Sequence, residues 1–105
     1  MPQYMFLIRG DEDAERSPAE MQAMVQEYMA WAGQMHANGQ MVAGDELGAG
    51  GKVVRGHGSS FNISDGPYTE TKEAVGGYFL INADSEDQAV ALAAHCPGLK
   101  RGGAV

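Results

Sequence analysis

Apolar residues run through Tyr4-Met5-Phe6-Leu7-Ile8-Arg9 so that both alternating sets, Tyr4/Phe6/Ile8 and Met5/Leu7/Arg9, are largely apolar. Aromatic and branched side chains favour a strand, and one apolar on both alternations calls for cover on two faces. The acidic run Asp11-Glu12-Asp13-Ala14-Glu15 reads as a solvated connection. At Ser17 the period changes. Ser17-Pro18-Ala19-Glu20 has the form of a capping box with proline at the first helical position, and Met21, Met24, Val25, Tyr28, Ala32 and Met35 recur at helical spacing. The spacing predicts a helix to about Asn38, closed by Gly39 in the left-handed conformation, with Met29 and Trp31 off the main stripe, placed to widen its core face or, second, to reach another subunit. At 1.5 Å per residue such a helix spans roughly 31 Å, enough to cross a sheet.

Met41 to Leu47 reads as a second strand, Gly48-Ala49-Gly50-Gly51 as a turn, Lys52 to Arg55 as a third strand, and Ser60 to Ser64 as a fourth leading into Asp65. A turn is expected to end at Gly76-Gly77. Tyr78 to Ala83 is again apolar on both alternations, as a central strand would be. Ser85-Glu86-Asp87-Gln88 is a second capping box, Ala89, Leu92, Ala93 and Cys96 form the stripe of a shorter helix, and Pro97-Gly98 ends it. Leu99 to Val105 reads as the start of another strand. This order is βαββαβ with an added hairpin, a ferredoxin-like α+β class in a single domain of residues 1–105. Two helices cover one face of such a sheet, so the other is expected to meet the same face of a second copy, giving a homodimer.

Composition narrows the partners. With 44% apolar residues the chain of 105 is not disordered, and 14 acidic against 7 basic residues give a formal charge of −7. That field repels phosphate backbones and anionic lipid heads, so neither nucleic acid nor a membrane surface is expected as a partner. Cys96 is the only cysteine and has no internal disulfide partner; the N-terminus lacks a signal-peptide pattern, and the expected location is cytoplasmic. The longest apolar run falls short of the ~20 residues of a membrane helix.

The glycine-rich centre does not form a nucleotide site: a G-x-G-x-x-G motif would need glycine at Val53, and a P-loop would need glycine at Glu46 and Ser or Thr at Val53. Nor does Ser60 sit in a nucleophile elbow, since Asn62 takes the last glycine position. No cofactor is expected. No two histidines are spaced i, i+4 on a helix and Cys96 adds no zinc pattern, so no metal is expected either; His36 and His95 fall near helix C-termini, where the dipole favours them. Cys96, on an apolar stripe, reads as a small buried hydrophobe.

The densest constraint lies in Asp65-Gly66-Pro67-Tyr68-Thr69-Glu70-Thr71-Lys72-Glu73. Proline fixes its own φ and restricts Gly66, so the Asp65 carboxylate is placed either to accept backbone donors at a rigid corner or to act as a general base or ligand anchor. Thr69 is placed to cap a short helical turn, with Glu70, Lys72 and Glu73 in local pairing. Arg55 has two readings as well, a structural ion pair with Asp65 or a bidentate clamp on a substrate carboxylate. His57, between glycines, is free to meet a ligand.

DGPYTETKE followed by GGYFLI, with Arg55 ahead and His95-Cys96-Pro97 after a short helix, resembles the YCII-related, or DGPF-domain, family over nearly the whole chain. Tyr68 stands where relatives commonly have phenylalanine, and the E-V-R-P strand that usually follows the equivalent of Val105 is absent. The resemblance implies a dimeric α/β barrel of ferredoxin-like subunits. Some relatives suggest a His/Asp acid–base pair in a cleft between helix and sheet; the histidine position falls at about Tyr28 here, which leaves Asp65 and Arg55 as the carried-over candidates. Two functions follow. One is an enzyme using that cleft, with Asp65 as proton acceptor, Arg55 as anion anchor, Tyr4 or Tyr28 as donor and His57 near the ligand. The other is a non-catalytic dimer that binds a ligand or a protein, such as an accessory to transcriptional regulation. Asp65, Arg55 and a Tyr or His gathered in one concave pocket would favour the first.

Overall fold

A computed structural model describes residues 2–10, 16–48, 51–65 and 75–105. Its elements, in chain order, are β1 (Gln3–Arg9), α1 (Pro18–Ala37), β2 (Met41–Glu46), β3 (Lys52–His57), β4 (Ser60–Asp65), β5 (Val75–Asn82) and α2 (Glu86–Ala93), followed by a 3-10 turn over Pro97–Arg101. The chain is α+β. The acidic loop at 11–15 and the stretch 66–74, with the Thr69 cap and the Glu70, Lys72 and Glu73 pairing, lie outside the described residues.

Both serine caps form. Ser17 Oγ accepts from the Glu20 N–H at 3.2 Å, and Ser85 Oγ accepts from the Gln88 N–H at 3.2 Å. The Gln88 side chain reaches one residue further back than a closed box requires, accepting from the Asp84 N–H at 2.5 Å. Gly39 takes φ +71 after α1, as a left-handed closing residue should.

β5 is the centre of a three-stranded antiparallel sheet in the order β1-β5-β2, the neighbours a ferredoxin-like order requires. Phe6 pairs with Phe79 and Tyr4 with Ile81, so those side chains share the face turned to the helices. Strand β5 begins at Val75, and Gly76-Gly77 lie inside it instead of ending the preceding turn; the registry slips there, between Ile8 and Arg9 on β1. After α2 the expected strand is mostly replaced by the 3-10 turn. Its extended part is a single bridge, Ala104 to Arg9, closed by N–H to O bonds of 2.7 and 2.8 Å.

The core sits between this sheet and the second half of α1. Phe6, Trp31, Met35, Ile81, Ala83, Ala89 and Cys96 are buried together. Trp31, which helical spacing sets beside the main stripe, is its hub. Its ring stacks on Phe6 at 6.1 Å and 8°, meets Phe79 edge-on at 5.2 Å and Tyr28 at 6.2 Å, and its Nε1–H donates to the Leu92 carbonyl of α2 at 3.2 Å. The working ridge is therefore Met24, Tyr28, Trp31 and Met35, while Met21 and Val25 are half exposed. On the far face of the sheet Met5 is 57% and Leu7 39% exposed within one chain.

Strands β3 and β4 form a separate two-stranded sheet joined by the Gly58-Ser59 turn, with Gly58 at φ +57. Alternation gives it two unlike faces. Val54, Phe61 and Ile63 lie on one, at 63, 58 and 61% exposure, while Arg55, Asn62, His57 and Ser60 lie on the other.

Truncating the hub should dominate stability. Trp31→Ala is expected to cost about 3–5 kcal/mol and Met35→Ala about 2–5, whereas Met29→Ala, at a position 68% exposed, should stay within about 0.5 kcal/mol; urea midpoints of the three variants check the ranking.

Candidate functional site

The first half of α1 stands off the sheet, and a cleft of about 920 Å³ opens beneath it. Its helix wall is Met21, Met24, Val25, Tyr28 and Met29; its floor is Gly44 of β2 with Gly76, Gly77 and Phe79 of β5. Small residues make the floor low. A Cβ on Gly44 would run into the Phe79 ring, so that ring lies flat across the glycine and extends the aromatic cluster of the core into the cleft. The size falls within the ~300–1,000 Å³ common for small-molecule sites, and the residues combine apolar walls with a few polar groups.

Tyr28 stands where core and cleft meet. It is half-buried, with its hydroxyl 3.7 Å from the buried Cys96 thiol and close against Gly98. Loss of water around the ring, and next the contact with Cys96, push the phenol well above its ordinary range, against a smaller opposing pull from the Gly98 backbone and the Arg101 charge. At neutral pH it is an un-ionised donor. The far wall is made by the 3-10 turn, where Arg101 donates through Nη1 to Glu27 Oε2 at 3.0 Å and to the Pro97 carbonyl at 3.2 Å. Lys100 approaches Glu27 at 3.9 Å, so one carboxylate of α1 anchors two cations of the turn.

Of the sequence candidates, Tyr28 lines this cleft and the others do not. Tyr4 packs half-buried against the core from β1. Asp65 ends β4, exposed, and its ion partner is Lys52, the residue opposite it on β3. Arg55 pairs across with Asn62, on the other face of the hairpin from Asp65, and His57 lies beyond it near the turn. The two carried-over candidates therefore point to opposite sides of one hairpin. What the sequence reading passed over is Arg9, Arg16 and Arg101, all of which line the cleft. Strict alternation groups Arg9 with Met5 and Leu7, and the register slip beside it leaves the extra residue, Gly76, on β5. Among the described residues no three His, Cys, Asp or Glu side chains are close enough to hold a metal, and no helix is long and apolar enough to cross a membrane.

An α+β domain with a sheet backed by two helices and a cleft beneath the longer one is consistent with a ferredoxin-like fold. The chain belongs to the YCII-related domain family, whose model matches residues 2–105. Among curated proteins, none matches it.

The Tyr28 environment sets a pH dependence. An unfolded tyrosine ionises near 10, whereas the folded one keeps its proton above that, so unfolding releases a proton in alkali and stability falls as pH rises past 10. Tyr28→Phe should remove this component: the stability difference between wild type and variant is expected to be flat up to about pH 9 and to shrink above it, as read from urea melts across the range.

Proposed function

We propose that this protein binds a small organic molecule in the cleft between the first half of α1 and the sheet. The observation that carries the reading is the cleft itself, with a methionine-rich wall, a glycine floor and the Tyr28 hydroxyl at its inner end. Methionines adapt to irregular apolar shapes, and an un-ionised phenol presents a fixed donor in a site of low dielectric. In this reading Asp65 serves the hairpin, through its pair with Lys52, and polar recognition falls to residues of the cleft.

A second observation supports a homodimer. The open face of the sheet carries Met5, Leu7, Tyr78, Leu80 and Ala43, and Asp45 is the charged residue among those paired across it. A chain of net charge −7 repels its own copy least where charges are sparse, and among the paired residues of this face the apolar ones outnumber the charged Asp45. Two copies related by a two-fold axis would each cover the face that the other's helices leave open.

Two measurements test these proposals. A metabolite library screened by thermal stabilisation should yield hits, and Val25→Trp, at a half-exposed position of the cleft wall, should abolish their effect while shifting the ligand-free melting temperature little; hits that stabilise the variant equally bind elsewhere. Sedimentation at micromolar concentration should give twice the 11.1 kDa chain mass, and Leu7→Lys should give the single mass with the fold retained. A wild-type monomer there removes the dimer.

A further inference from the structure

Resting on the cleft reading above, we infer that the ligand is a small organic monoanion, a carboxylate joined to an apolar body, oriented with its charge toward the β1 side of the cleft. Three of the chain's four arginines, Arg9, Arg16 and Arg101, line the one cavity. They come from three separate places in the chain: the end of β1, the residue before the N-cap of α1, and the end of the 3-10 turn. An acidic chain that brings cations from three elements to one concavity offers guanidinium donors there against its own long-range field.

One guanidinium is held in place before any ligand arrives: Arg101 donates through Nη1 to Glu27 and Pro97, while the two bonds between Arg9 and Ala104 fix only the Arg9 backbone. A guanidinium has five N–H donors in a planar fork, so an Nη1 committed to protein still leaves the other nitrogens for a carboxylate. Fixing Arg101 beforehand lowers the ordering cost of binding.

The opposite side limits the charge of the ligand. Glu46 lines the cleft from β2, on the same face as Gly44, two strand spacings from β1 across β5, which is roughly 10 Å at about 4.8 Å per spacing. A polyphosphate or a long dianion would bring its second charge to that carboxylate. A single carboxylate at the arginine side, with its apolar part along Met21, Met24, Val25 and Phe79, meets no such repulsion, and the Tyr28 hydroxyl is available to it as a neutral donor.

The test uses two probes that differ only in charge, 3-phenylpropionate and 3-phenylpropanamide, titrated into protein carrying carbon-13-labelled methionine methyls. Met21, Met24 and Met29 report on the cleft, while Met5 on the open face and Met35 in the core serve as internal controls. The carboxylate should move the cleft methyls and bind about tenfold more tightly than the amide, a difference of about 1.4 kcal/mol, and the preference should shrink as salt is added. Arg16→Gln should bring the two probes close to equal affinity; Arg101→Gln should do the same, and if loss of its Glu27 contact unfolds that variant, Arg16→Gln decides alone. Equal binding of both probes at the cleft methyls in wild type overturns the anion inference and leaves the cleft reading standing. If neither probe moves those methyls, both fall together.

Discussion

One side chain, Trp31, sets the geometry on which the rest depends. It lies flat on Phe6 of β1, edge-on to Phe79 of β5, and its N–H reaches the Leu92 carbonyl of α2, so it fixes both helices against the sheet at once. Stacking contacts of this kind are worth about 0.5–1.5 kcal/mol each beyond burial, and the buried N–H would be costly without its acceptor. The cleft follows from where the tryptophan stands. It clamps the second half of α1, and the first half, one turn and more away, passes over glycines and cannot reach the sheet.

Much of this was legible in the chain. Two serine caps, a left-handed glycine, the extents of the helices and the two-sided character of β1 and β5 are local properties, and local chemistry announces them. The role of Trp31 was harder to read because a helical stripe is a band of some width, and which of its edges meets the sheet depends on the crossing angle. The final segment reads as strand by composition, yet Pro97 and Gly98 favour a turn that Glu27 then ties down through Arg101.

The site was less legible, for a physical reason. Asp65 and Arg55 stand out because they flank unusual glycine and proline chemistry, but alternation along β3 and β4 turns them to opposite faces. The cleft arginines have no local signature. Arg9 looks like the end of a strand, Arg16 like the residue before a cap, and Arg101 like a charged tail; a strand end, a helix start and a tertiary ion pair bring them to one cavity. Convergence of that sort resides in topology and leaves no spacing to find.

The single bridge between Arg9 and Ala104 has a kinetic meaning as well as a structural one. Two hydrogen bonds close it, in place of the continuous ladder that joins β1 to β5, so it belongs to the part of the molecule that opens locally without global unfolding. When it opens, Gly103 and the 3-10 turn lose a tether to β1, and the wall of the cleft that carries Arg101 is held from α1, by Glu27 and by Tyr28 against Gly98. Any affinity at this site is then an intrinsic affinity scaled by the closed fraction of one backbone pair, and a ligand that touches both Arg9 and the turn would slow exchange of the Ala104 amide.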